Sequence, residues 1–403
     1  MSCESRNILF VAEAVTLAHV GRMISLANGL DRARYKPLLA WDPRFKEVTG
    51  EIQGEFFSLS SISTASFLDR LRKNTPIYDV ETLDRYVKDD LELFQITKPS
   101  AVVGDFRLSL AISAAVAGIP YLNVVNAHWS PYAKTQWSVP EGPIVETFGP
   151  YVAQFIFNIA RPLFFRSYAT GFNRLLKKWG RPSLGPDLRN IYCAGDRTLY
   201  PDLPEVVTTE NLPGSHRFLG PIIWSPSITG PEIQRGSLAA ERKTIYVTMG
   251  TSGNPKAVTS ILAGLAKRNL RILLASGEPT PNPAPERLEL HVSPYFCGQK
   301  ACEVSDLVIH NGGSGAISQC ILAGVPFIGV ASNLDQYSSM YFAQCAALGK
   351  TIRSDRISAL EIEKVAGHLL DDQHYREKAQ AMRLVADKFN ASDILMEELD
   401  KLW

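Results

Sequence analysis

A glycine-rich stretch, Asn311-Gly-Gly-Ser-Gly315, follows the apolar run Asp306–His310 and precedes a helix-like segment. Because glycine has no side chain, a diphosphate could approach this backbone closely, and a helix N-terminus would supply free N–H groups and about half a positive charge. His310 and Ser314 would add side-chain donors. The stretch is equally consistent with a turn that only packs a strand against a helix.

Two more polar loops follow strand-like runs in the second half of the chain. Met249–Gly253 contains hydroxyl groups that could face the same phosphate, although an ordinary strand-to-helix loop is the simpler interpretation. Asp335 and Gln336 place a carboxylate beside a carboxamide, which suits bidentate hydrogen bonding to neighbouring sugar hydroxyls. Capping of the following helix explains these two residues equally well.

In the first half, His19 lies at a loop-to-helix junction and Asp105 ends a later strand-like run. A neutral imidazole is a suitable general base near pH 7 and contributes about 10²- to 10⁴-fold in rate. A carboxylate on the far ring nitrogen fixes the tautomer and stabilises the imidazolium. Without such a partner, His19 is more simply a surface or capping residue.

The cysteines do not favour a metal site. Cys297 and Cys302 have His291 upstream and His310 downstream, but zinc sites usually pair cysteines at shorter gaps, and no second pair is suitably spaced. We therefore expect reduced thiols, no metal and no resident cofactor.

The elements that must position these residues alternate between strands and helices. Short apolar runs predict buried parallel strands at Asn7–Val11, Ala101–Gly104, Thr244–Thr248 and Asp306–His310. The alternation begins twice, which predicts an α/β protein with two doubly wound sheets. Ligands of such sheets bind at the carboxyl ends of the strands, so the residues after these runs are expected to face one cleft between the two halves.

Composition narrows the functional classes. The 403 residues suffice for two or three domains of about 150 residues each. Lys and Arg number 42 and Asp and Glu 41, so the basic excess typical of nucleic-acid-binding proteins is missing, and we expect no nucleic acid partner. No run reaches the about 18 apolar residues of a spanning helix, and no secretory signal is recognised. We expect a cytoplasmic protein that is a monomer or a weak homodimer.

Taken together, the motifs resemble the family 1 nucleotide-sugar-dependent glycosyltransferases of GT-B fold, which include the UDP-glycosyltransferases and macrolide glycosyltransferases. The more specific matches lie in the second half, at Ile245–Thr251, Asp306–Ala316, Gln319, Ala323–Pro326 and Asp335–Gln336. Positional matches in the first half are Ile8–Val11, Ala18–Val20, Asp105, Gly118–Pro120 and Arg217–Pro221.

The resemblance implies two Rossmann-like domains that face each other across a cleft. We expect an acceptor-binding domain at 1–222, a donor-binding domain at 223–389, and a terminal helix at about 390–403 that packs back onto the first domain. Family members transfer the sugar with inversion and without a metal ion. The expected activity is therefore transfer of a hexose-type sugar from a UDP- or dTDP-sugar to a hydroxyl of a small acceptor.

The resemblance also assigns roles to residues. His19 aligns with the catalytic base and Asp105 with its partner. The residues expected to bind the donor are Gly250, Thr251, Pro294, Tyr295, His310, Asn311, Gly312, Gly313, Ser314, Gly315, Gln319, Asp335 and Gln336. Position alone suggests an acceptor pocket of Asn126, His128, Trp129 and Phe155.

Two positions depart from the family pattern. Many relatives carry His-His-Gly-Gly or Thr-His-Cys-Gly in the phosphate loop, whereas Asn311 occupies the second of these positions and cannot carry a positive charge. Gln319 replaces a common Glu. These changes leave two alternatives open: a nucleotide-sugar epimerase of the same fold, and a non-catalytic sugar-nucleotide-binding auxiliary protein.

The middle segment Tyr151–Phe165 is rich in aromatic residues. It suggests a lipophilic acceptor and leaves open a peripheral contact with a membrane surface. A helix of the protein core explains the same residues at least as well.

Overall fold

The computed structural model describes residues 5–50, 52–226, 230–231, 233, 242–250, 253–254, 256–277 and 287–403. The chain forms two compact units. The N-terminal unit comprises Met1–Lys134, Gly142–Trp224 and Phe389–Trp403, and the C-terminal unit comprises Thr135–Glu141 and Ser225–Lys388. The main division thus falls after Trp224 rather than after residue 222. The sequence did not indicate that Thr135–Glu141 belongs with the second unit.

The N-terminal unit contains a seven-stranded sheet. Its strands are β1 (Arg6–Ala12), β2 (Tyr35–Trp41), β3 (Glu55–Ser58), β4 (Ala101–Asp105), β5 (Tyr121–Val124), β6 (Arg197–Tyr200) and β7 (His216–Phe218). The order is β3-β2-β1-β4-β5-β6-β7, and every neighbouring pair is parallel. Residues Ile8–Ala12 of β1 are fully buried, because helices cover both faces of the sheet.

Seven helices connect these strands within the described part of the unit. They are α1 (Leu17–Asn28), α2 (Lys46–Thr49), α3 (Thr64–Arg72), α4 (Val80–Thr97), α5 (Leu110–Ala117), α6 (Pro143–Lys178) and α7 (Leu188–Tyr192). Gly149 interrupts α6 with non-helical backbone angles, φ 72° and ψ 165°, and Pro150 restarts the helix. Of the described helices, none combines the length and apolar character needed to cross a membrane.

The C-terminal unit contains a six-stranded sheet. Its strands are β8 (Lys243–Thr248), β9 (Leu270–Ala275), β10 (Leu288–Ser293), β11 (Leu307–His310), β12 (Phe327–Ala331) and β13 (Gly349–Arg353). The order is β10-β9-β8-β11-β12-β13, again parallel throughout. Its helices are α8 (Ala257–Leu265), α9 (Gly298–Glu303), α10 (Ser314–Ala323), α11 (Leu334–Cys345), α12 (Ala359–Asp371) and α13 (Gln373–Ala386). The predicted α/β class with two doubly wound parallel sheets is confirmed.

The last helix, α14 (Ala391–Asp400), belongs to the N-terminal unit. Leu395 and Leu399 are fully buried in a core cluster that also contains residues of β1 and α1. Arg217 pairs with Glu398 at 2.9 Å and so ties the helix to β7. Helix α14 thus completes the hydrophobic core to which β1 and α1 contribute.

Candidate active site

The predicted His19–Asp105 pair forms in the N-terminal unit. Parallel pairing of β1 with β4 sets Asp105 opposite Ala12, at the edge from which the chain leads into α1. The His19 Nδ1 lies 2.8 Å from Asp105 Oδ1. Because a carboxylate only accepts hydrogen bonds, the ring proton lies on Nδ1, and Nε2 keeps its lone pair. This tautomer is the one a general base needs.

His19 lies in the first turn of α1 rather than at a loop-to-helix junction. Thr16 is the extended N-cap residue, and the helix begins at Leu17. Arg22 follows His19 by three residues, so both side chains lie on one face of the helix. The sequence analysis did not identify Arg22 as a site residue. The signal that could have found it is a basic residue three positions after the candidate base.

Arg22 completes a buried charge cluster. Its Nε donates to Asp105 Oδ2 at 2.6 Å, and another guanidinium nitrogen donates to Asn126 Oδ1 at 2.9 Å. Burial raises the pKa of the Asp105 carboxyl, but the charges and hydrogen bonds of Arg22 and His19 outweigh burial and leave this pKa below its ordinary value. Asp105 therefore stays ionised at neutral pH and can stabilise a protonated His19.

Phe106 supports the His19 ring from one side. The two rings are 5.0 Å apart at an interplanar angle of 8°, a stacked arrangement. Phe106 has a positive φ of 59°, which is uncommon for a bulky side chain. This backbone conformation costs free energy, so it is kept only where the contacts around the residue hold it in place.

The residue that follows, Arg107, is anchored in a second buried cluster. It donates to Glu13 at 3.3 Å and to Asp90 at 3.1 Å, and its guanidinium lies 3.8 Å from the centre of the Tyr86 ring. Burial raises the pKa of both the Glu13 and the Asp90 carboxyl, against the lowering effect of Arg107. Glu13 directly follows β1 and Arg107 closely follows β4, so this cluster fixes both strand ends that carry the histidine pair.

The four residues predicted for the acceptor pocket do not share one environment. Asn126 is part of the Arg22 cluster, and the Trp129 ring packs against Tyr192 at 4.9 Å. His128 is buried, at 1% exposure, whereas Phe155 is 69% exposed on α6. Phe155 thus lies in a different environment from the other three, because α6 between Tyr151 and Tyr168 buries only the small side chain of Ala153, and its role in an acceptor pocket stays a prediction.

In the C-terminal unit, two loops meet at Asn311. A Cβ atom added to Gly250 would lie 3.3 Å from Asn311 Nδ2, and one added to Gly253 would lie 2.8 Å from Asn311 Cβ. The loops after the paired strands β8 and β11 are therefore adjacent. Asn311 Oδ1 also accepts from the Gly313 N–H at 3.2 Å. Thr251, predicted beside Gly250, lies outside the described residues.

The donor role expected of His310 stays a prediction, because its Nε2, which carries the ring proton when Nδ1 accepts, has no hydrogen-bond partner within the described residues. Its side chain is fully buried at the end of β11, and its Nδ1 accepts from the Gly312 N–H at 2.9 Å. Burial lowers the pKa of His310 to about 3, so the ring is neutral at physiological pH. The hydrogen bond from the Gly312 N–H to the ring holds the turn in place, and Gly312 adopts the positive φ of 80° that the turn requires.

The predicted loop Asn311–Gly315 is shorter than expected, because α10 begins at Ser314 with Gly313 as its N-cap residue. No side chain caps this N-terminus, and a Cβ atom on Gly315 would meet nothing within 4 Å. Backbone N–H groups at an open helix N-terminus favour an anion.

Gln336 takes part in the N-terminal capping box of α11. Its side-chain oxygen accepts from the Ser332 N–H at 2.9 Å, and Asn333 Oδ1 accepts from the Gln336 N–H at 3.1 Å. The capping explanation that the sequence left open therefore accounts for this buried side chain. Asp335 is half-buried in the first turn of the same helix.

The remaining predicted donor residues lie near α9. The Gln319 amide packs against the start of this helix, since a Cβ atom on Gly298 would lie 2.6 Å from its oxygen. Pro294 is exposed and Tyr295 half-buried, just after β10. Among the residues that the structure describes, no group of three or more His, Cys, Asp or Glu side chains could hold a metal ion.

Curated relatives identify the family, although no protein-family model matches the chain. The chain is 37% identical over 390 residues to a PGL/p-HBAD biosynthesis rhamnosyltransferase of Mycobacterium bovis (strain BCG / Pasteur 1173P2), covering 96% of this chain and 85% of the relative. A second relative from that strain, an inactive PGL/p-HBAD biosynthesis glycosyltransferase, is 40% identical over 262 residues, 65% of this chain and 71% of the relative.

Solved structures agree in fold. The glycotransferase of kitacinnamycin superposes with a TM-score of 0.72 at 15% identity, covering 98% of this chain and 99% of that chain. The spinosyn rhamnosyltransferase SpnG, complexed with thymidine diphosphate, gives 0.69 at 14% identity, covering 98% of this chain and 100% of its own. The chain therefore belongs to the family 1 glycosyltransferases of GT-B fold, and it is a glycosyltransferase.

Proposed function

We propose that the protein moves a hexose-type sugar from a UDP- or dTDP-sugar to a hydroxyl group of a small, lipophilic acceptor, with inversion and without a metal ion. The observation that carries this proposal is the His19–Asp105 pair with Arg22 behind it. A protein that only binds nucleotide has no need of a histidine held in the tautomer of a general base.

In the proposed step, His19 Nε2 takes the proton of the acceptor hydroxyl while its oxygen attacks the anomeric carbon. The bond from that carbon to the diphosphate oxygen breaks, and the nucleoside diphosphate leaves with the electron pair. The ionised Asp105 stabilises the imidazolium. One displacement at the anomeric carbon inverts its configuration.

The C-terminal unit is the proposed donor site. The backbone N–H groups at the start of α10 would bind the diphosphate and stabilise the charge that develops on it, whereas the Gly312 and Gly313 N–H groups donate within the loop, to His310 Nδ1 and Asn311 Oδ1. Asn311 can donate one neutral hydrogen bond where many relatives have a histidine. Asp335 is the proposed contact to the sugar hydroxyls.

The names of similar proteins favour one class of nucleotide-sugar donor. A relative at 37% identity is a rhamnosyltransferase, and a structural neighbour is a rhamnosyltransferase complexed with thymidine diphosphate. We therefore favour a dTDP-linked deoxyhexose over a UDP-linked hexose.

A non-catalytic auxiliary protein is the second candidate. Asn311 in the phosphate loop and the similarity to a relative described as inactive favour it. The intact His19–Asp105–Arg22 cluster argues against it.

Ligand screening and product analysis test the proposal. Thermal stabilisation by UDP, dTDP, GDP and CDP identifies the nucleotide, because a bound ligand raises the melting temperature by mass action. dTDP-rhamnose with a panel of alkylphenols and long-chain alcohols should then yield a glycoside of inverted anomeric configuration, with EDTA present. Nucleotide binding without any glycoside would favour the auxiliary protein, and an epimerised nucleotide sugar formed without acceptor would favour an epimerase.

A further inference from the structure

One stretch of the surface is unusually apolar for the described part of the chain. Of the fourteen large hydrophobic residues exposed there, eight lie between Ile144 and Phe164, on or beside the first half of α6. Tyr151 is 91% exposed. Between Tyr151 and Phe164 the only polar side chains are those of Gln154, Asn158 and Arg161. Contiguous apolar surface of this kind marks an interaction site.

The helix continues into a cationic half. Between Pro150 and Arg181 the chain has six basic residues and no acidic one. Lys178 pairs with Asp84, and Arg161 has a partner as well. Within the described residues, no ion pair involves the side chains of the other four basic residues, Arg166, Arg174, Lys177 and Arg181.

Helical spacing brings these two features onto one face. Val152, Phe155, Ile159 and Leu163 follow one another at steps of three or four residues, and Arg166 continues the series. Arg174 and Lys177 fall on the same face farther along, whereas the buried residues of the second half, Ala169, Phe172, Leu175 and Leu176, lie on the opposite one. We name this exposed surface of α6 the outer face.

We propose that the outer face binds the surface of an anionic lipid bilayer. The apolar half would enter the boundary between headgroups and acyl chains, and the cations would contact anionic headgroups. The sixteen or so residues from Pro150 to Phe165 span only about 24 Å at 1.5 Å per residue, less than the hydrocarbon core of about 30 Å, so the helix lies along the bilayer rather than across it. The three cations of the outer face, Arg166, Arg174 and Lys177, lie beside its apolar half, which is the pattern of a helix that lies on an anionic bilayer.

Flotation with vesicles tests this inference without any sugar donor, so its outcome is separate from that of the proposed transfer. We expect the full-length protein to float with vesicles of phosphatidylcholine mixed with phosphatidylglycerol and much less with phosphatidylcholine alone. The double variant Phe155→Ser/Ile159→Ser should bind at least about tenfold more weakly, because two large side chains no longer leave water. Arg166→Gln/Lys177→Gln should weaken binding about tenfold, and raised salt should do the same to the parent.

The matched control is Leu360→Ser/Leu384→Ser, which removes two residues of similar exposure, 72% and 66%, from other helices. It should bind vesicles like the parent. A parent protein that fails to float with either vesicle, or a Phe155→Ser/Ile159→Ser variant that floats as well as the parent, overturns the proposal. Analytical sedimentation without vesicles tests whether a second copy of the chain binds the outer face instead. A parent protein that is a dimer and a Phe155→Ser/Ile159→Ser variant that is a monomer would assign the outer face to that second copy and overturn the proposal.

Discussion

Arg22 and Asp105 determine what His19 can do. The carboxylate orients the ring and sets its tautomer, while Arg22 keeps that carboxylate ionised although it is buried. His19 itself also helps to keep the pKa of the Asp105 carboxyl low, so the three side chains depend on one another. The proposed base is therefore a three-residue unit rather than a lone histidine.

Arg22→Met tests this unit. Without the guanidinium, the pKa of Asp105 rises, so the carboxyl protonates at a higher pH and no longer supports an imidazolium. We expect kcat to fall about 10- to 100-fold and the acid limb of its pH profile to move to higher pH. Arg174→Met, an exposed arginine without an ion pair among the described residues, is the control. An unchanged acid limb in Arg22→Met would remove Arg22 from the catalytic unit.

His310 should make the C-terminal unit sensitive to acid. Its pKa is about 3 in the folded protein against 6.5 in the unfolded chain, so between these values the unfolded state binds more protons. The resulting stability is complete above pH 6.5 and is lost as the pH falls toward 3, with a slope of up to about 1.4 kcal/mol per pH unit.

His310→Gln should therefore reduce the loss of stability between pH 6.5 and pH 4, measured as urea midpoints at each pH. Equal slopes in parent and His310→Gln would contradict the buried neutral ring.

At the level of elements, the buried strands and their loops could be predicted from the sequence. Runs such as Ile8–Val11 are apolar because both faces of the sheet are covered, which makes them conspicuous. Short edge strands such as Glu55–Ser58 were not recognised, since half-exposed residues lack that pattern. Sequence also could not decide between capping and binding for Gln336, because both roles use the same amide.

The contact between the loops after β8 and β11 depends on small residues. A Cβ atom on Gly253 would lie 2.3 Å from the Met249 oxygen and 2.8 Å from Asn311 Cβ, so Gly253→Ala must displace one of the two loops. We expect dTDP to bind at least about tenfold more weakly by calorimetry, since the donors of the phosphate loop lose their preorganisation.

Gly277→Ala is the matched control, because its Cβ would meet nothing within 4 Å. This variant should bind dTDP like the parent. Equal affinity in Gly253→Ala and the parent would show that the nucleotide does not use this pair of loops.

At the level of the whole molecule, each unit draws on distant parts of the chain. The helix α14 completes the N-terminal core, and Glu141 joins the C-terminal unit through its N–H to Ser332 O at 2.9 Å and its carboxylate to the Asp355 N–H at 2.8 Å. The proposed chemistry is divided in the same way, with the base in one unit and the nucleotide in the other. Binding and transfer should therefore be separable by mutation.

The most direct measurement compares dTDP affinity and sugar transfer in His19→Ala, with dTDP-rhamnose and an acceptor found in the screen. We predict a dissociation constant for dTDP within about twofold of the parent and a transfer rate reduced about 10²-fold or more. Transfer at the parental rate would contradict the assignment of His19 as the base and, with it, the proposed mechanism.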